Sequence, residues 1–188
     1  MTEARVSMLS LEEAAARAEQ VGLGAQLATL NVFRVLLLQP RAAKAMGDLL
    51  LALLSGRALE HRLRELVIMR VGWVTGSAYE WTQHWALARD LFGCREEDLL
   101  AVRDWEGSDR LDERARAALA ATDETLRTGA VSEATGDRCR RALGDEVAYV
   151  ELLLAIGLWQ AVSQFLRTLA IPLEEGVASW PPDGRGPA

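Results

Sequence analysis

Glu80 and His84 stand four residues apart, so on a helix they share one face. Glu65 comes earlier, inside the stretch 58–93 (ALEHRLRELVIMRVGWVTGSAYEWTQHWALARDLFG) that all three residues occupy. A carboxylate beside an imidazole fixes its tautomer and raises its pKa, so this set could move protons near neutral pH. In that chemistry His84 is the general acid or base. Glu65 orients the ring or relays its proton, and Glu80 assists or touches substrate. Ser77 opens the helix that carries Glu80 and His84. Its hydroxyl and the helix amino end would suit a substrate carboxylate or an enolate oxygen. Trp73, Tyr79 and Trp81 would wall an apolar pocket suited to a ring. One histidine without a nearby cysteine is a poor metal set, and no metal is expected.

These residues can only act together if two helices bring them to one place. The stretch reads as an amphipathic pair joined by a tight turn at Thr75-Gly76, where glycine permits a backbone that other residues would strain. Glu65, Met69, Gly72 and Trp73 share a face of the first helix. Ser77, Glu80, Trp81, His84 and Ala88 fall in line on the second. Plainer readings stand beside the catalytic one. Ser77 to Glu80 fits a capping box, in which Glu80 merely returns to the Ser77 backbone. Glu65 could pair with Arg62, Arg64 or Arg70 on a solvated surface. His84 could be a core histidine bonded to a carbonyl, and the tryptophans could be plain core.

The rest of the chain reads as helix. Ser10-Leu-Glu-Glu13 is a capping box that opens a first helix, stopped near Gly22 and Gly24. A strongly apolar helix is expected over 25–38, and another from Pro40 to Leu54. After the central pair come a short acidic helix over 95–105 and helices near 111–128 and 132–143. A long last helix over 145–170 is stopped by Pro172. No segment alternates with period two, so the expected class is all-α. The apolar run 147–162 is short, and polar residues interrupt and follow it, so a buried core helix is expected there rather than a membrane span. One domain over 1–175 is expected, with a flexible tail over 176–188 that is rich in proline and glycine.

Composition narrows the partners. The 188 residues carry a net charge of −6, with a pI near 5.1. That argues against nucleic acid or an anionic membrane surface, both of which need a clustered basic face. The two cysteines, Cys94 and Cys139, lie far apart and form no disulfide framework or metal spacing. The first residues carry four glutamates and no apolar run, so a signal peptide is not expected. A cytoplasmic protein with reduced thiols is the expectation.

The central stretch resembles the core motif of the carboxymuconolactone decarboxylase family, which includes the alkylhydroperoxidase D-like proteins. Their pattern is an R-E-L helix, a small turn, then C-x-x-C or C-x-Y-E-W with a following histidine. Here it stands as Arg64-Glu65-Leu66, then Gly76 to Trp81 and His84, with no gap in spacing. The resemblance extends loosely through Asn31 to Arg34, the Pro40 helix, Arg114 to Leu119, Gly129 to Val131 and Glu146 to Leu169. It implies an alkylhydroperoxidase D-like helical fold and homo-oligomers, commonly trimers or hexamers. The peroxidase branch uses two cysteines where this chain has Ser77 and Glu80, and serine cannot form a disulfide. The decarboxylase branch is similar in lacking the cysteine pair while keeping a glutamate and a histidine like Glu80 and His84. The resemblance therefore implies cofactor-free acid–base chemistry of lyase, decarboxylase, isomerase or cyclase type on a small cyclic or lactone-like organic acid. A thiol-dependent antioxidant enzyme and a non-catalytic assembly protein are the other classes.

Overall fold

Short-range capping sets the helix boundaries. The Ser10 hydroxyl accepts from the Glu13 amide at 3.1 Å, and the Glu13 carboxylate accepts from the Ser10 amide at 2.8 Å. This box opens α1, Leu11–Val21, in a computed structural model that describes residues 4–187. Residues 1–3 and 188, which belong to the expected domain and tail, lie outside the described residues. The helices that follow are α2 (Asn31–Leu36), α3 (Pro40–Ser55), α4 (His61–Thr75), α5 (Ala78–Asp90), α6 (Glu96–Ala101), α7 (Glu113–Thr128), α8 (Glu133–Leu143) and α9 (Glu146–Thr168). Among the described residues no strand forms, so the protein is all-α.

One expected helix does not form. Residues 25–38 break into a 3₁₀ turn, Leu27–Thr29, and the short α2, with Leu30 extended between them. The cause is a set of competing partners. The Thr29 hydroxyl donates to the Gln26 carbonyl at 2.7 Å, and the Asn31 amide donates to the Glu174 carboxylate at 2.9 Å. Local side-chain bonds and a distant carboxylate thus satisfy groups that a continuous helix would have used. An apolar run alone could not report either partner.

The chain divides into two compact units. One holds the described residues up to Ser55 together with Phe165–Val177, and contains α1, α2 and α3. Its interior is built from residues such as Ala14, Ala18, Phe33, Leu37 and Ala43. The other holds Gly56–Gln164 and the chain from Ala178 onward. In this second unit α4 is buried nearly all round, through Leu63, Leu66, Val67, Met69 and Val71, and packs against α5, α6 and α7. A helix buried on every side belongs in the middle of a domain.

α4 and α5 meet through a tight turn. Gly76 sits at φ 69°, in the left-handed region where glycine carries no steric cost. Gly72 lies under the crossing. A β-carbon there would come within 3.1 Å of the Trp81 amide nitrogen. The Ser77 amide donates to the Gly72 carbonyl at 2.8 Å, closing the turn. α4 is also tied across the unit, because Arg70 grips the Asp123 carboxylate of α7 with two bonds of 2.6 and 2.7 Å.

The end of the chain is held as well. The Trp81 indole donates to the Pro181 carbonyl at 2.8 Å, and the Trp180 amide donates to the Thr82 hydroxyl at 3.1 Å. Arg103 forms two bonds with Asp183, of 2.8 and 3.0 Å. Trp180, Pro181 and Asp183 are thus tied to α5 and Arg103, partners that composition does not reveal. α9 is long and apolar enough to cross a membrane by length and composition. In the second unit, however, Ala148, Leu152, Ile156 and Trp159 line its buried face.

Candidate active site

Three helices of the second unit bring five side chains together. Glu65 projects from the middle of α4, two turns before Gly72. Glu80 and His84 come from successive turns of α5, the helix that Ser77 caps by accepting from the Glu80 amide at 3.4 Å. α9 adds Trp159 and Ser163, again four residues apart on one face. The Glu65 Oε2 atom lies 2.8 Å from His84 Nδ1. Trp159 Nε1–H donates to His84 Nε2 at 2.9 Å, while Glu80 Oε1 stands 3.5 Å from that same nitrogen. The Ser163 hydroxyl donates to Glu80 Oε2 at 3.3 Å. On the far side, Arg64 donates to Glu65 Oε1 through Nε at 3.3 Å and Nη2 at 3.2 Å. Arg64 is itself buried, with its guanidinium over the Phe92 ring and its Nη1 against His61 Nδ1 at 2.9 Å.

Burial sets the electrostatics. It pushes the Glu80 carboxyl up to about 7, against the opposing pull of His84 and the Ser163 hydrogen bond. Burial pulls the His84 ring down, but the Glu65 carboxylate, helped by its hydrogen bond and by Glu80, outweighs it and leaves the ring's pKa raised. A carboxylic acid that titrates near neutrality thus sits beside an imidazole whose pKa is raised. Both cysteines lie outside this pattern. Burial pushes the Cys94 and Cys139 thiols up to about 11, so each is protonated at neutral pH.

The expected residues divide between two neighbourhoods. Glu65, Glu80 and His84 meet in the buried chain just described. Ser77 caps α5 through the Glu80 amide, and the Glu80 carboxylate turns toward Ser163 and His84 instead of closing a capping box. Tyr79 is buried on α5. Trp73 and Trp81 lie 5.3 Å apart in an aromatic cluster with Trp180, under the Arg103 guanidinium. They anchor the end of the chain. Sequence reading misses Trp159 and Ser163. The available signal is a tryptophan and a serine spaced one helical turn apart inside a strongly apolar helix, where a polar side chain needs a buried partner.

Residues 40–124 match the model of the carboxymuconolactone decarboxylase family, a span that holds all of α4 and α5. Among curated proteins none matches the chain. Solved structures do. A protein of unknown function from Agrobacterium tumefaciens, described as an antioxidant-defence candidate of the AhpD type, is 26% identical with a TM-score of 0.64, over 73% of this chain and 94% of that one. A peroxidase-related protein with an alkylhydroperoxidase AhpD core, from Ralstonia eutropha JMP134, is 17% identical with a TM-score of 0.74, over 93% and 94%. A cysteine-to-alanine variant of the debrominase Bmp8, bound to 2,3,4-tribromopyrrole, is 19% identical with a TM-score of 0.69, over 92% and 95%. The segment 40–124, with its α4–α5 motif, is thus similar to the carboxymuconolactone decarboxylase family, and the chain has the alkylhydroperoxidase D-like helical fold.

Proposed function

We propose that this protein is an acid–base enzyme that needs no cofactor and acts on a small cyclic or lactone-like organic acid. Family and fold support an enzymatic or antioxidant-like role in general terms. The observation that favours proton transfer is the 2.8 Å contact between His84 and Glu65, buried and flanked by Glu80. His84 takes a proton from the carbon or oxygen acid of the substrate. Glu65, itself gripped by Arg64, holds the ring and balances the imidazolium. Glu80, with its pKa near 7, returns or stores the proton as the product forms. In this scheme the Ser77 end of α5 receives the substrate's carboxylate. Thiol-dependent peroxide reduction draws no support from Cys94 or Cys139, whose thiols burial keeps protonated. We also propose a homo-oligomer, supported by exposed apolar residues along α9.

The test is deuterium wash-in from heavy water into a panel of unsaturated lactone carboxylic acids, followed by NMR. Wild-type protein should exchange an acidic substrate proton. His84→Gln should lose at least about a hundredfold of that rate while keeping its melting temperature. Glu65→Gln should lose less if Glu65 only orients the ring. A folded His84→Gln protein that exchanges at the wild-type rate would overturn the assignment.

A further inference from the structure

The contact that stands out in the buried chain is the one on His84 Nε2, the nitrogen a substrate would need. An indole N–H can only donate, so at 2.9 Å from Trp159 that nitrogen presents its lone pair. The ring's one proton then sits on Nδ1, where Glu65 Oε2 accepts it at 2.8 Å. The geometry is that of a neutral ring with both nitrogens satisfied. Arg64 donates to the other Glu65 oxygen and leaves Oε2 to the histidine. Nothing in this arrangement leaves the base open.

We propose that Trp159 is a latch on His84: its indole N–H caps the Nε2 lone pair, and a substrate reaches the base only by replacing that indole with its own acidic N–H, O–H or C–H group. This rests on the acid–base reading of the site and adds what holds the base closed. It also defines the ligand class. The displaced group is a planar aromatic donor, so the best-matched competitor is a small flat molecule with a donor on its ring edge. Once seated, the substrate passes its proton to Nε2 and becomes an anion beside an imidazolium. The new N–H of that imidazolium cannot face the indole N–H, because two donors repel. It turns instead to Glu80 Oε1, now 3.5 Å away. Protonation and latching are therefore mutually exclusive. The charged or titratable groups facing the ring are Glu65 and Arg64 from α4 and Glu80 from its own α5; α9 contributes only the neutral Trp159 and Ser163. Because Trp159 and Ser163 share one face of α9, a shift of that helix would release His84 and Glu80 together.

The chain has two histidines, so His61→Gln leaves one imidazole to observe. Long-range ¹⁵N–¹H spectra of that background should show the Nδ1–H tautomer at high pH. Trp159→Phe removes the capping donor and keeps the bulk, so the His84 titration midpoint should rise by about half a unit to one unit. Trp159→Ala leaves an indole-shaped space. Added indole should restore the original Nε2 shift, and 1-methylindole, which lacks the N–H, should not. The latch is overturned by an Nε2–H tautomer in the parent protein. It is equally overturned by a folded Trp159→Phe variant with an unmoved midpoint, or by equal rescue from the two indoles. None of these readouts requires turnover, so they stay separate from the exchange test of His84.

Discussion

Glu80 shows how burial at one residue reaches the stability of the whole chain. Its carboxyl is raised to about 7 from an ordinary 4.5, so the folded state binds that proton more tightly than the unfolded chain does. The stabilising contribution is complete below about pH 4.5 and is lost as pH rises through 7. His84 acts in the same direction. Its pKa is raised above 6.5, so its contribution is complete below that value and fades as pH climbs past the folded pKa. Glu80→Gln keeps the shape and does not titrate. Melting temperatures measured from pH 5 to pH 9 should therefore fall less steeply for the variant, the difference growing from pH 5 to about 7 and levelling off above. Parallel curves would show that Glu80 does not carry the proton. The cysteines give a second check. A thiol reagent at pH 7 should label neither Cys94 nor Cys139 in the folded protein, and both after denaturation, because burial holds each thiol near 11. Rapid labelling of the folded protein would bring a thiol mechanism back. At this scale the sequence was informative where spacing alone fixes geometry. Glu80 and His84 had to share a face, and the R-E-L motif put Glu65 on the neighbouring helix. It was uninformative about Trp159 and Ser163, because nothing local says which face of a remote apolar helix meets an imidazole. The plain reading of Glu65, an arginine pair on a solvated surface, holds only for the pairing. Glu65 does pair with an arginine, but that arginine is buried with it, and the second oxygen remains for His84.

At the scale of elements, the α4–α5 joint decides whether those residues meet. Gly72 lets the two helices approach until a β-carbon would contact the Trp81 backbone, which cannot swing aside as a side chain can. Gly72→Val should therefore separate the helices at their crossing. Overpacking of this kind costs about 1–3 kcal/mol. Denaturant unfolding should report that loss, and the His84 ring resonances should move, since Glu65 lies two turns upstream on the displaced helix. A variant as stable as wild type with unshifted His84 signals would show that the crossing is looser than its geometry implies. The helices most legible in the sequence are those with a capping residue at one end and glycine at the other. Examples are α1 between Ser10 and Gly22, α7 between Asp112 and Gly129, and α8 between Ser132 and Gly144. The stretch 25–38 departs from its helical pattern for the opposite reason. Its apolar pattern is helical, but its break depends on the Glu174 carboxylate, which is far away in sequence.

For the molecule as a whole, the long-range ties were the least legible part, and α9 concentrates them. Its Glu151 carboxylate accepts from the Leu59 amide at 2.8 Å, and its next turns carry Trp159 and Ser163 to the site. The opposite face is unlike that of an ordinary surface helix. Val147, Val150 and Leu154 are 59%, 54% and 48% exposed, and they follow one another at intervals of three and four residues. Gly157 and Ala161 continue the stripe with small exposed residues. Such a row is the pattern of a helix that packs against a second helix. An uncovered stripe of this kind is unfavourable for a chain free in water. A second copy of this chain, meeting the first along α9, would cover it. Charge placed in the middle of that stripe should then separate the copies without disturbing the buried face that holds His84. Val150→Glu combined with Leu154→Lys should lower the mass seen in sedimentation velocity and leave the helical circular-dichroism signal intact. The His84 tautomer, read from the same ¹⁵N spectra, should also be unchanged if assembly and latch use separate faces of α9. A wild-type protein that sediments as a monomer would remove the oligomer proposal. A variant that dissociates and also loses the Trp159–His84 contact would mean that assembly itself sets the position of the latch.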